Sequence, residues 1–166
     1  MQSKGYTHII WDWNGTLLDD VDWCVRSVNK MLEKRKKSRL KALCDYHNVF
    51  CFPIIEYYKN VGFDLDSESF EELAEEYMSI YHGNGSFENM RLHSNAENVL
   101  GEIQGTGIAQ IILSASSQGN LAIQTEQFNI RTYFDEILGI SNVYAKSKVG
   151  IGLDYLSRHN VINGLM

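Results

Sequence analysis

The chain has 166 residues, of which 44% are hydrophobic and 22% are charged, and its formal net charge is −6. Such a balance is typical of a globular protein, and the negative charge disfavours nucleic acid as the main partner. No apolar run approaches the ~20 residues of a membrane-spanning helix, so we expect no membrane partner. Three cysteines without a Cys-x-x-Cys pair, and no hydrophobic leader segment, predict a cytoplasmic protein.

The first predicted element is a buried strand at residues 7–13, a β-branched and aromatic run that ends in a tight turn. The block that follows, residues 20–90, is predicted to be entirely helical, because its apolar residues recur at helical spacing. Local signals mark the ends of its helices: Asp20 or Asp22 as a first cap, Pro53 and Gly62 around one helix, and a capping box of Ser69 and Glu72.

After residue 90 the pattern alternates between amphipathic helices and continuous apolar strands. The predicted elements are a helix with a capping box of Ser94 and Glu97, a strand at 108–113, a helix near 121–128, a strand at 136–139, a helix at 149–156 and a strand beginning near 160. Such alternation predicts a parallel α/β sheet. The domains are therefore predicted as a core of residues 1–19 and 91–166 and a helical insertion at 20–90.

Polar residues stand where the predicted strands end. Asp12 ends the first strand, Ser114 ends the second, and the segment after the third leads to Lys146 and Lys148. Ligands of open parallel sheets bind at the carboxyl ends of the strands. A carboxylate, a hydroxyl and an ammonium group at one edge suit phosphoryl transfer, in which the carboxylate attacks and the others bind the phosphoryl oxygens.

The order of these residues resembles the haloacid dehalogenase-like hydrolases across essentially the whole chain. The run from Ile9 to Asp19 is similar to their first motif, hydrophobic residues followed by Asp-x-Asp-Gly-Thr-Leu-x-Asp. The run from Ile111 to Ser114 resembles the second, and Lys148, preferred to Lys146, takes the place of the third-motif lysine. The resemblance implies a Rossmann-like core with an inserted all-helical cap, as in the phosphoglycolate-phosphatase-like branch.

The resemblance also implies a reaction. Asp12 would be the nucleophile that forms an aspartyl-phosphate, in the hydrolysis of a small phosphorylated metabolite. Mg²⁺ would be the cofactor, held by the carboxylate of Asp12 and the backbone carbonyl of Asn14.

Further residues match the phosphate-binding positions of the family. The hydroxyl of Ser114 and the backbone N–H of Ala115 would hold a phosphoryl oxygen, and Lys148 would balance its charge. Gly15 and Thr16 would shape the turn through which the cap opens and closes.

Asn14 departs from the family pattern, because the family places there the aspartate that acts as general acid and base. A carboxamide cannot exchange a proton usefully, and losing this help costs about 10²–10⁴-fold in rate. Esters with good leaving groups, such as acyl phosphates, would suffer least. Two alternatives therefore stay open: a non-catalytic relative that binds a phosphorylated ligand or a partner protein, and a Mg²⁺-independent hydrolase of the dehalogenase type.

The fourth motif of the family, Gly-Asp-x-x-x-Asp or a close variant, does not occur in this sequence. The chain ends at Asn163-Gly164-Leu165-Met166, where the strand that precedes this motif is expected. A buried strand cut in mid-run leaves an exposed sheet edge. We therefore expect the chain to be an incomplete core of a longer protein, the alternative being a protein that lacks this metal-ligating carboxylate.

Overall fold

The computed structural model describes residues 5–83, 90–140, 148–159, 161 and 163–166. The chain divides into two compact units, one formed by Met1–Asp19 with Arg91–Met166 and the other by Asp20–Met90. In the part of the chain that the structure describes, no helix is long and apolar enough to cross a membrane.

The first unit is built on a parallel sheet. In chain order the strands are β1 (His8–Trp11), β2 (Leu18–Asp19), β3 (Arg91–Leu92), β4 (Ala109–Ser117), β5 (Glu136–Ile140) and β6 (Gly164–Leu165). The main sheet has the order β5-β4-β1-β6 with every pairing parallel, and β2 pairs with β3 in a separate antiparallel ribbon. This arrangement confirms the predicted α/β fold with a parallel core.

Helices flank the strands in the first unit and are the regular secondary structure among the described residues of the second. In chain order they are α1 (Val21–Lys34), α2 (Leu43–Val49), α3 (Ile54–Val61), α4 (Phe70–Tyr81), α5 (Ala96–Gln104), α6 (Gln118–Gln127) and α7 (Val149–Arg158). A buried cluster of Ile10, Ile111, Leu113 and Tyr155 joins the sheet to α7. The apolar strand residues thus bury themselves against the helix, which holds β1 and β4 in place.

The helical unit has a core of its own, which includes Val28, Met31, Leu32 and Leu73. The predicted capping box of α4 is confirmed, since Ser69 Oγ accepts the backbone N–H of Glu72 at 3.2 Å and the Glu72 carboxylate accepts the backbone N–H of Ser69 at 2.9 Å. The predicted end of α3 is confirmed as well: Gly62 follows it with φ +104°, a left-handed conformation that glycine adopts without strain.

Two predictions of helix caps differ from the structure. Ser94 does not cap α5, because Asn95, with φ +66°, precedes the helix and makes no side-chain cap. Asp20 precedes α1 without capping it; its buried carboxylate instead accepts the hydroxyl of Tyr81 at 2.6 Å. Helix α2 lies within the block that the sequence predicts to be helical. Its seven residues carry too little periodicity to be predicted as a separate helix.

Candidate active site

The site is organised around Asp12, the residue that follows β1. Strand β1 lies inside the sheet, with β4 on one side and β6 on the other, so Asp12 emerges at the carboxyl edge between neighbouring strands. This is the edge at which open parallel sheets bind their ligands. The Asp12 side chain keeps 42% of its surface exposed, so its carboxylate is open to a reactant.

Lys148 is the direct partner of this carboxylate. Its Nζ lies 2.5 Å from Oδ1 of Asp12 and 3.3 Å from the backbone carbonyl of Leu113, the residue before Ser114. Because Lys148 immediately precedes α7, the helix fixes its backbone at the edge of the sheet. The two contacts bring the ammonium group to the ends of β1 and β4 together. Lys146, the other predicted candidate, lies outside the described residues.

The turn after Asp12 is held by its own backbone. The carbonyl of Trp13 accepts the N–H groups of Thr16, Leu17 and Leu18 at 3.2, 3.0 and 2.9 Å. Gly15 has φ +73°, a conformation in which other residues are strained. Gly15 and Thr16 are both exposed, so the structure places them at the surface of the turn beside Asp12.

The second half of the site comes from the end of β4. Ser114 is only 1% exposed, whereas Ala115 is exposed, and the register between β4 and β5 shifts between Leu113 and Ser117. Such irregularities re-aim side chains and are common beside active sites. Here the Ser114 hydroxyl accepts the backbone N–H of Ser116 at 3.0 Å.

Ser116 also reaches across to the turn after β1. Its hydroxyl donates to Oδ1 of Asn14 at 2.6 Å, a contact between residues 102 positions apart in the chain. Ser116 is not among the site residues predicted from the sequence. The available signal was the Ser-x-Ser pattern at the end of an apolar strand, which is weak because either serine can serve as a helix cap.

These contacts connect most of the predicted site residues. Asp12 and Lys148 form an ion pair, and the Lys148 ammonium also touches the carbonyl that precedes Ser114. Asn14 and Ser114 are joined through Ser116. Gly15 and Thr16 lie in the turn after β1 and Ala115 lies near the end of β4, and the roles assigned to them remain predictions.

The oxygen donors at this edge are of the kind that Mg²⁺ binds. They are the carboxylate of Asp12 and the backbone carbonyl of Asn14, two hard ligands on an exposed turn. Among the described residues no group of three or more His, Cys, Asp or Glu side chains could hold a metal ion. The donors therefore fit a Mg²⁺ ion that is bound mainly through water and substrate phosphate, a common arrangement for this cation.

A family model of haloacid dehalogenase-like hydrolases matches residues 9–151 of the chain. The match includes all of β1 but its first residue, together with the helical unit, β4, β5 and Lys148. The chain therefore belongs to the haloacid dehalogenase-like hydrolase family. A search of curated proteins found no match.

Solved structures share this fold at low sequence identity. A protein of Clostridium acetobutylicum described as a predicted phosphatase is 18% identical with a TM-score of 0.79; the similarity covers 97% of this chain and 74% of that one. A protein of Haemophilus somnus described as a predicted phosphoglycolate phosphatase is 15% identical with a TM-score of 0.71, covering 93% and 72%. Protein tyrosine kinase A of Mycobacterium tuberculosis is 20% identical with a TM-score of 0.78, covering 95% and 71%.

Proposed function

We propose that the chain is a phosphatase that hydrolyses small phosphorylated metabolites with Asp12 as the nucleophile. The observation that carries this proposal is the contact between Lys148 Nζ and Asp12 Oδ1 at the carboxyl edge of the sheet. An ammonium group in this position holds the carboxylate by an ion pair and offsets the negative charge of an incoming phosphoryl group. Residues 20–90 would act as the cap of the family.

In the proposed reaction a carboxylate oxygen of Asp12 attacks phosphorus, and the bond from phosphorus to the leaving oxygen breaks with its electron pair. Ser114 and Lys148 stabilise the phosphoryl oxygens, and water then hydrolyses the aspartyl-phosphate to release inorganic phosphate. The carboxylate of Asp12 and the carbonyl of Asn14 would hold Mg²⁺, which when bound supplies positive charge against the repulsion between carboxylate and phosphate.

Asn14 narrows the proposed substrates to esters and anhydrides whose leaving oxygen is stable as an anion. A carboxamide can donate a hydrogen bond, but it cannot transfer a proton to a leaving group. Aryl and acyl phosphates need no such proton, so they would be hydrolysed faster than alkyl phosphates. A general acid speeds a reaction only where the leaving group must be protonated, so its loss slows alkyl phosphates most.

The proposal is tested by the hydrolysis of aryl phosphates in the presence of Mg²⁺, with Asp12→Asn beside the unchanged chain. We expect turnover by the unchanged chain, a phosphate adduct on the peptide that contains Asp12, and loss of both in the variant. Asp154→Asn makes the same chemical change at a residue on α7 whose side chain is 65% exposed, and should keep full activity. Turnover that persists in Asp12→Asn would refute the nucleophile assignment.

A second candidate is a binding protein without turnover. The identity of residue 14 favours it, since Asn14 stands in place of the family's acid and base and cannot ionise. Tight binding of inorganic phosphate without hydrolysis of any aryl phosphate would support this candidate. Hydrolysis that continues after chelation of divalent cations would instead indicate the metal-independent, dehalogenase type of reaction.

A further inference from the structure

Ser116 makes two hydrogen bonds, one to the turn after β1 and one within the end of β4. Its hydroxyl donates to Asn14 Oδ1 at 2.6 Å, and its backbone N–H donates to Ser114 Oγ at 3.0 Å. Ser114 and Ser116 are two positions apart near the end of β4, where the register with β5 shifts. Ser116 thereby contacts both Asn14 and Ser114, two side chains that we assign to the site.

The first hydrogen bond sets the orientation of the Asn14 side chain. A carboxamide has one acceptor oxygen and one NH₂ group that only donates. Because the oxygen accepts the Ser116 hydroxyl, the amide nitrogen Nδ2 is the end that points away from Ser116. Asn14 is therefore held as a hydrogen-bond donor, in the place where the family has a proton-exchanging carboxylate.

The second hydrogen bond sets the direction in which Ser114 donates. A hydroxyl has one proton and two lone pairs. Since a lone pair of Ser114 Oγ accepts the N–H of Ser116, the proton of Ser114 points elsewhere. Together with the ammonium group of Lys148, the site then offers donors to the oxygens of a bound phosphoryl group.

We propose that Ser116 is a positioning residue that fixes Asn14 and Ser114 as hydrogen-bond donors, so that Asn14 stabilises the leaving oxygen as an anion instead of protonating it. This inference rests on the proposed phosphatase function and adds to it how the site works without its general acid. Ser116 acts through its two neighbours and forms no bond to the substrate. A hydrogen bond from the side-chain amide of Asn14 would stabilise the negative charge that develops on the departing oxygen.

Removing only the hydroxyl of Ser116 tests the proposal. Ser116→Ala loses the bond to Asn14 and keeps the backbone bond to Ser114, whereas Ser116→Thr keeps a hydroxyl. Ser157→Ala removes an exposed serine hydroxyl from α7 and is the matched control. The kinetic readout is kcat and KM over a series of aryl phosphates with leaving groups of increasing basicity, measured with Mg²⁺ on folded protein.

For Ser116→Ala we expect kcat to fall about 10- to 100-fold, the usual size of the effect when an orienting partner is lost, with a smaller change in KM. The loss should grow with the basicity of the leaving group, and Ser116→Thr should restore most of the rate. A kcat that is unchanged in Ser116→Ala, or that falls equally for every leaving group, would overturn the proposal. A purely structural role of Ser116 would not produce a dependence on the leaving group.

A spectroscopic readout separates this inference from the proposed function. The side-chain amide signals of Asn14 in a ¹⁵N–¹H spectrum can be assigned by their loss in Asn14→Asp. They should shift in Ser116→Ala and stay near their original position in Ser116→Thr and Ser157→Ala; signals that do not move in Ser116→Ala would overturn the inference. If the unchanged chain hydrolyses no aryl phosphate, the proposed function fails and the amide signals alone decide whether Ser116 orients Asn14.

Discussion

The indole N–H of Trp13 donates a 2.7 Å hydrogen bond to Oε1 of Gln124, and both side chains are buried. Trp13 stands between Asp12 and Asn14, and its carbonyl organises the turn that carries them. Its ring also lies against Phe128, with 6.5 Å between the ring centroids. The contact with Gln124 therefore anchors the loop of the candidate nucleophile to α6.

Gln124→Leu should lower the free energy of unfolding by about 1–3 kcal/mol, because a leucine of similar size leaves the buried N–H of Trp13 without an acceptor. Urea denaturation measures the change, and Gln127→Leu, at an exposed position of α6, is the control. A double-mutant cycle with Trp13→Phe isolates the coupling between the two side chains. A coupling energy near zero would show that the hydrogen bond contributes nothing to stability.

Gly139 is predicted to tolerate no side chain. A methyl group at this position would lie 2.7 Å from the backbone nitrogen and Cα of Gln118 and 2.8 Å from the carbonyl of Ser116. These are backbone atoms, so Gly139→Ala must displace the end of β4, at a cost of about 1–3 kcal/mol in unfolding free energy. Thermal and urea unfolding measure the loss.

Gly150→Ala on α7 is the matched control for this substitution, because a methyl group there would meet no atom within 4 Å. Alanine in place of a helical glycine should instead stabilise the chain, by about 0.5–1 kcal/mol. If the two variants were equally stable, the close approach of Gln118 and Ser116 to Gly139 would be refuted.

The parts of the fold that follow from local chemistry could be predicted from the sequence. Apolar runs predicted the strands that became β1, β4 and β5, and the capping box of Ser69 with Glu72 predicted the start of α4 correctly. The prediction of a cap at Ser94 was wrong, because the same sequence pattern occurs where the backbone turns left-handed at Asn95. A pattern of residue types carries no information on the backbone conformation that decides which residue caps the helix.

Some residues of the candidate site could likewise be predicted from the sequence, and others could not. Asp12 could be selected because it stands at the end of a predicted strand, and parallel strands bring such ends together. The same argument selected Lys146 and Lys148 together, and the resemblance to the family favoured Lys148. Ser116 could not be selected, because its partner Asn14 is distant in sequence and the contact depends on the irregular end of β4. A register shift of this kind arises from the packing of the neighbouring strand, which a single strand's sequence does not encode.

The helical unit should lose stability in acid through its ion pairs with Arg35. Hydrogen bonds from the Arg35 guanidinium lower the pKa of both Glu68 and Glu76 below the ordinary glutamate value of 4.5. A carboxylate with a lower pKa in the folded state stabilises the fold above the unfolded-state pKa, and this contribution disappears as the pH falls through the folded-state pKa. The loss is therefore expected below about pH 4.5.

Urea unfolding between about pH 3 and pH 6 measures this loss. Glu76→Gln removes one of the two carboxylates that contact Arg35, so its unfolding free energy should depend less on pH in this range. Glu75→Gln, a neighbouring exposed residue of α4, should keep the full dependence. An equal pH dependence in Glu76→Gln and the unchanged chain would contradict the assignment.

Asn14→Asp should restore a general acid to the candidate site. An aspartate at this position can protonate a basic leaving oxygen, which supplies about 10²–10⁴-fold in rate where protonation is needed. Hydrolysis of alkyl phosphates should therefore rise strongly, whereas that of aryl phosphates with acidic phenols should change little. The measurement is kcat/KM for both substrate classes with Mg²⁺, as a function of pH.

The matched control for this prediction is Asn98→Asp, the same substitution at an exposed position of α5, which should leave both rates unchanged. Because the Ser116 hydroxyl can donate to an aspartate at position 14 as it does to Asn14, the loop geometry should survive the exchange. A gain of equal size for alkyl and aryl phosphates would show that the new carboxylate changes something other than leaving-group protonation. A gain confined to alkyl phosphates would instead identify Asn14 as the residue that restricts the chain to good leaving groups.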